Sequence, residues 1–219
     1  MTTYQPSSRR PIAALFRGTA ARAVKICAAA GIHPDVISYA SIAAAAGAAG
    51  CFLAARWWPA FLLLAPLLCY LRLWCNMLDG MVALASGKAS LRGEILNDLP
   101  DRISDILIFA GVAHSGWCNP IIAYWAAMAA LLTAYVGMLG QAVGARREFS
   151  GVMSKPWRMV ALHLGAWIAA GLWYARGVRT IGFGWSVLDV ACAIVIAGCI
   201  QTIWLRLARI MRALRAKTK

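Results

Sequence analysis

Acidic side chains are scarce in this 219-residue sequence: eight Asp and Glu stand against 22 Lys and Arg, and charged residues make up only 14% of the chain. So little charge, with 62% hydrophobic residues and a mean hydropathy of +0.67, excludes an ordinary soluble domain and points to a polytopic membrane protein. The seven cysteines (Cys27, Cys51, Cys69, Cys75, Cys118, Cys192, Cys199) include no pair at metal or redox spacing, so they read as small core residues. His33, His114 and His163 likewise lack a metal-ligand partner at suitable spacing and read as interfacial packing residues. The net charge of +14 comes with no recognisable nucleic-acid module, so anionic lipid head groups, not nucleic acid, are the expected partners. Arg17, Arg22 and Lys25 interrupt any signal-peptide apolar core, and no cleaved leader is expected.

What the chain has in abundance is apolar sequence near the roughly 20 residues needed to cross a bilayer. Such stretches run over 36–55, 58–78, 103–114, 121–143, 159–174 and 187–205, the third short unless residues 98–102 continue its helix. The expected fold is all-α: six transmembrane helices preceded by an amphipathic interfacial helix. Residues 1–34 form a cytoplasmic N-terminal segment, 35–206 the membrane domain and 207–219 a basic cytoplasmic tail. Ile12, Leu15, Phe16, Ala23 and Ile26 share one helical face in the N-terminal segment, away from Arg17, Arg22 and Lys25. Lys and Arg concentrate at both termini and in the second and fourth loops, which predicts cytoplasmic termini in a multi-pass inner-membrane protein. Trp57, Trp58, Trp117, Trp173 and Trp185 are expected in an outer interfacial belt, with Trp167 packed deeper. The small-residue run 43–50, with Gly47 and Gly50, suits close helix approach in a bundle or a homodimer.

Five of the eight acids fall between Asp79 and Asp105: Asp79, Glu94, Asp98, Asp101 and Asp105. One carboxylate at the centre of a membrane helix costs about 2.5 to 3.5 kcal/mol, so a group of them persists only around cations or water. At about 100° per helical residue, Glu94, Asn97, Asp98, Asp101 and Asp105 occupy one narrow face, with Pro100 a candidate kink. Asn76, Asp79 and Ala83 share a face at the end of the second span, and Gly80 leaves room for a ligand against the backbone. Two such helices, joined by the short polar loop 86–92, suit a hard divalent cation bridging a substrate phosphate.

The spacing resembles that of the CDP-alcohol phosphotransferases, whose pattern is DxxDGxxAR, about eight residues, then GxxxDxxxD. This chain reads NMLDGMVAL from Asn76 and GEILNDLPD from Gly93, and Gly31-Ile32-His33-Pro34-Asp35-Val36-Ile37-Ser38 resembles the family's GxTPNxIT segment. Asn76, Asp79, Asn97 and Asp101 occupy the four acidic positions; Gly80, Ala83 and Gly93 match, and Ser90 fits a frequent Ser or Thr, and the resemblance implies that these four are cofactor-binding positions. Asn at 76 and 97, and Leu84 in place of Arg, depart from the pattern, while Glu94, Asp98 and Asp105 add acids it does not demand. The resemblance implies transfer of a phosphoalcohol group, phosphatidyl above all, from a CDP-linked donor such as CDP-diacylglycerol to an acceptor hydroxyl, with CMP leaving. It implies Mg2+ or Mn2+ on Asn76, Asp79, Asn97 and Asp101, with Glu94 or Asp98 assisting, and Asp101 as catalytic base. Lys155 and Arg158, at a span boundary, are positioned to hold the phosphate of a lipid or acceptor, although a positive cytoplasmic flank explains them equally well. A catalytically silent nucleotide- or lipid-binding relative, and a small cation-binding transporter, are the alternatives. Asp189 in the first turn of the last span complements the helix dipole and needs no catalytic role.

Overall fold

The computed structural model describes residues 17–87 and 91–217; the side chains of residues 17–20, 91, 92, 94, 96 and 97 lie outside that description. Helices α1 (Arg17–Ala29), α2 (Pro34–Ala54), α3 (Phe61–Ala85), α4 (Leu91–Ala113), α5 (Pro120–Ala142), α6 (Lys155–Arg176) and α7 (Val187–Lys217) carry nearly all of the chain. Helix starts follow local chemistry. His33 caps α2 by accepting the Asp35 amide hydrogen on Nδ1, with Pro34 opening the helix, and Asn119 caps α5 by accepting the Ile121 amide hydrogen (3.0 Å) ahead of Pro120. Helix α6 ends on Gly177 at φ 65°, the left-handed conformation glycine adopts without strain.

Among the described residues four helices, α2, α3, α5 and α7, are long and apolar enough to cross a membrane. At 23 and 22 residues, α4 and α6 reach a comparable length but are not among these four. Helix α4 runs unbroken from Leu91 through Pro100 to Ala113, so the short third apolar stretch is extended by the acidic segment, as its length required. Helix α7 likewise continues through the basic tail to Lys217. Between α6 and α7 a small antiparallel hairpin, β1 (Thr180–Gly182) and β2 (Trp185–Ser186), departs from the all-α expectation; Phe183 and Gly184 turn it at positive φ. Of the N-terminal apolar face, Ile12, Leu15 and Phe16 lie outside the described residues; on α1 Ala23, Val24 and Cys27 pack against Cys75, Leu78 and Val82 of α3 while Ile26 is exposed.

Helix α2 packs on α3 and α4, α5 on α4 and α7, and α6 on α3 and α7. Small residues set the spacing. A Cβ on Gly111 of α4 would fall 2.6 Å from the Ala49 Cα and carbonyl oxygen of α2, and one on Gly165 of α6 would fall 2.7 Å from the Ala191 Cβ of α7. The closest α2 crossing therefore uses Ala49 and Gly111, whereas Gly47 and Gly50 face outward. Trp57, Trp58 and Trp185 are exposed as a belt requires, but Trp117 is buried, donating from Nε1 to the Ala55 carbonyl (2.8 Å) and meeting Trp173 edge to face at 5.6 Å. A buried indole needs a partner for its N–H, and the α2 C-terminus supplies it. Trp167, expected to be packed, is exposed, donating to the Leu63 carbonyl at 3.3 Å. The cysteines are all free, and Cys118 and Cys192 touch through their sulfurs at 3.9 Å, a proximity that sequence spacing does not reveal.

Gly111→Ala should destabilise the bundle by about 1 to 3 kcal/mol, the usual cost of overpacking. Thermal unfolding in detergent should show a lowered midpoint for Gly111→Ala and none for Gly50→Ala, whose added Cβ meets nothing within 4 Å.

Candidate active site

Three helices bring charged side chains together at one end of the bundle. On α3, Arg72, Asn76 and Asp79 lie four and three residues apart and share a face; on α4, Asp101 and Asp105 do the same; on α6, Lys155 and Arg158 are three apart in the first turn. Asp79 is buried, accepting from Ser38 Oγ of α2 on one oxygen (2.6 Å) and from the Gly80 amide on the other (2.6 Å). Lys155 Nζ donates to Asn76 Oδ1 (2.5 Å) and also to Asp101 Oδ1, joining α3 to α4 through α6. Asp79 lies within electrostatic reach of both Asp101 and Lys155.

Behind this group sits a layer of fully buried ion pairs. Arg72 donates from Nη2 to the Asp101 carbonyl (2.9 Å) and to Asp105 Oδ1 (3.1 Å), and lies 3.6 Å from Asp101 Oδ1. Arg158 Nη2 donates to Asp105 Oδ2 at 2.9 Å. Asp105 is therefore clamped between two guanidiniums, and each of its oxygens serves one of them. Such charges are tolerated in a low-dielectric interior only when paired and hydrogen bonded. Arg72 Nε and Nη1 and Arg158 Nε have no hydrogen-bond partner among the described residues.

The sequence-derived candidates thus separate. Asn76, Asp79, Asp101 and Lys155 converge, and Gly80 contributes its amide to Asp79. Asp98 is held instead by Arg102 (3.1 Å) and Arg147 (2.6 Å). Arg158 is buried on Asp105. Ala83 follows Asp79 by one turn and is half-buried, Leu84 is exposed, and Gly93 lies in the first turn of α4. The Glu94 and Asn97 side chains, and Lys88 and Ser90 altogether, lie outside the described residues. Sequence reasoning missed Arg72, Ser38 and Arg147 as partners. Arg72 carried a signal, since it stands one turn before Asn76 on the face that carries Asp79; Arg147, in a loop 49 residues from Asp98, carried none.

The donor set suits a hard divalent ion in kind: Asp79 and Asp101 offer carboxylate oxygens and Asn76 an amide oxygen. Among the described residues no three His, Cys, Asp or Glu side chains form a metal-holding group. A cavity of 580 Å³ lies at the opposite end of the bundle, lined by Arg56, His114, Trp117, Arg179 and Asp189 among others, and shares no residue with the acidic cluster. Arg179 lies 4.6 Å over the Trp117 ring and 4.8 Å over that of Trp173. Asp189, accepting from the Asn119 and Ser186 amides (2.6 and 2.8 Å), holds the loops of that end together.

No family model matches the chain. It is 29% identical over 132 residues, 60% of its length, to the inner membrane protein YnbA of Escherichia coli, and 31% identical over 150 residues, 63% of its length, to the phosphatidylinositol phosphate synthase of Mycolicibacterium smegmatis. The matches span 65% and 62% of those two proteins, so the chain covers less than two thirds of each. Among solved structures, the phosphatidylinositol phosphate synthase of Mycobacterium tuberculosis superimposes with a TM-score of 0.67 when bound to CDP-DAG, over 87% of this chain and 92% of that one. In complex with manganese and citrate the score is 0.70, over 88% of each chain. At 20% identity this likeness is one of fold.

Burial ranks the acids. Asp105→Asn should leave two buried guanidiniums short of an anion and cost about 3 to 5 kcal/mol, whereas Asp98→Asn, whose partners are partly solvated, should cost under about 1 kcal/mol. Unfolding of both variants in the same detergent should give that order; equal losses would contradict it.

Proposed function

We propose that the chain is a member of the CDP-alcohol phosphotransferase family and that it transfers a phosphatidyl group from CDP-diacylglycerol, or a related CDP-linked donor, to an acceptor hydroxyl with release of CMP. The observation that carries this reading is the meeting of Asn76 and Asp79 of α3 with Asp101 of α4 at one end of the bundle, at the spacing of the family motif. The solved relative bound to CDP-DAG supports the choice of donor, and the one holding manganese supports a divalent ion.

In this reading Asp79, Asp101, Asn76 and Asn97 would hold Mg2+ or Mn2+, with Glu94 assisting, or Asp98 if it leaves Arg102 and Arg147, and the ion would supply positive charge to the donor diphosphate and the departing CMP. Asp101 accepts the proton of the acceptor hydroxyl as its oxygen bonds to the phosphatidyl phosphorus and the bond to CMP breaks. Gly80, Ala83, Ser90 and Gly93 leave the nucleotide room against the backbone. Lys155, together with the positive end of the α6 dipole, attracts the phosphate, while Arg158, the other cation expected there, stays on Asp105 and fixes the first turn of α6 beside it.

Helices α2 to α7 provide six spans, α4 and α6 completing the four that hold an apolar stretch long enough to cross, and α1 lies at the interface as an amphipathic helix. The membrane domain covers 35–206, and the site faces the cytoplasm of the inner membrane, where both termini lie; this follows the distribution of Lys and Arg. With Gly47 and Gly50 exposed on α2, the small-residue stripe is open to a second copy of the chain. A transporter would spread its ionisable groups through the membrane depth, whereas here they gather at one end and pair with one another.

Purified chain given labelled CDP-diacylglycerol, Mg2+ and a panel of acceptors should release CMP, and Asp79→Asn and Asp101→Asn should each lower the rate by about 10²-fold or more. Nucleotide binding without CMP release would identify a catalytically silent relative instead.

A further inference from the structure

Lys155 is an unusual residue to find on Asn76 and Asp101. It is the first residue of α6, where the helix dipole disfavours a cation, and Ser154 before it makes no side-chain capping bond. Its ammonium nevertheless reaches into the group and donates to Asn76 Oδ1 and Asp101 Oδ1, the oxygens that a hard cation would take. The chain also carries Asn at two positions where the family pattern has Asp, so it has two fewer formal negative charges there. Around the site, Asp79, Asp101 and Asp105 face Arg72, Lys155 and Arg158: three carboxylates against three cations. Counted over these six described side chains, the cluster is already neutral. A divalent ion added to it, with nothing else changed, would leave a buried excess of two positive charges, which a low-dielectric interior does not accept. Among the described residues, Nε and Nη1 of the fully buried Arg72 have no acceptor, which shows the same imbalance from the donor side.

Resting on the phosphotransferase reading, we propose that the Lys155 ammonium is a resident cation that holds the divalent-ion position between Asn76 and Asp101, and that metal entry displaces it toward the anionic substrate. Metal and Lys155 then compete for the same oxygens, and the substrate phosphate restores neutrality by receiving the ammonium that the metal releases. The lysine stem allows this motion, because its charged head sits on four rotatable carbons and α6 itself stays anchored by Arg158 on Asp105. The exchange is one of charge alone, with no covalent step.

The test is made on the full chain in detergent without CDP-linked substrate. Binding of Mn2+, followed by electron paramagnetic resonance of the free ion, should be at least about tenfold tighter in Lys155→Met and Lys155→Gln than in the unaltered chain, because a like charge beside the ion is gone. A measurement on the unaltered chain covers the case in which these variants fold poorly. Reductive methylation read by mass spectrometry should label Lys155 faster when Mg2+ is present than when it is absent, while Lys25 is unaffected. Unchanged or weaker Mn2+ binding in well-folded variants, or labelling of Lys155 that Mg2+ does not raise, would overturn the proposal. CMP release with either of those results would leave the phosphotransferase standing and the resident cation refuted. Mg2+-dependent labelling and tighter Mn2+ binding without any CMP release would do the reverse.

Discussion

Charge neutrality inside a helical bundle is the constraint on which the rest of this structure depends. Asp101 and Asp105 are fully buried, and neither can stay ionised there without a cation in contact. Arg72 from α3 and Arg158 and Lys155 from α6 meet that need, so the same contacts that make the acids tolerable fix α3, α4 and α6 relative to one another. The backbone follows from it: α4 must carry its acids to the end of the bundle as a continuous helix, and α6 must begin where its first turn can reach them. Apolar packing at Ala49 and Gly111, and at Gly165 and Ala191, then sets how close the helices come.

Within this frame the site has two layers. The inner one, Asp105 between Arg72 and Arg158, has both carboxylate oxygens engaged by guanidiniums and acts as a fixed floor. The outer one, Asn76, Asp79, Asp101 and Lys155, is made of oxygens held by a flexible ammonium, by a serine hydroxyl and by a backbone amide, all groups that a stronger ligand can replace. A floor that cannot move beneath a layer that can is a suitable arrangement for a reaction dominated by positioning and electrostatic stabilisation. Asp98, drawn to Arg102 and Arg147, ties the loop before α6 to α4.

Much of this was legible in the sequence because helical periodicity is local. The phase of Asn76 and Asp79, and of Asp101 and Asp105, follows from spacing alone, and the extension of the third apolar stretch through Pro100 followed from its being too short to cross a bilayer. Pairings between helices were not legible. Ser38 reaches Asp79 across 41 residues and Lys155 reaches Asn76 across 79, distances at which only the packed bundle decides who meets whom. The aromatic belt misled at Trp117, since the sequence places it near a boundary but not against the Ala55 carbonyl that draws it inward. The hairpin at Thr180–Ser186 was missed because so short a pairing, turned by glycine and Phe183 at positive φ, gives almost no alternation to read.

The most direct measurement is an anomalous difference map from crystals of the full chain soaked in manganese. A peak within coordination distance of both Asp79 and Asp101 is the expected result. A peak on Asp98 or Asp105 with that position empty would contradict the account, because it would move the cation site off the α3–α4 seam from which the functional reading is built.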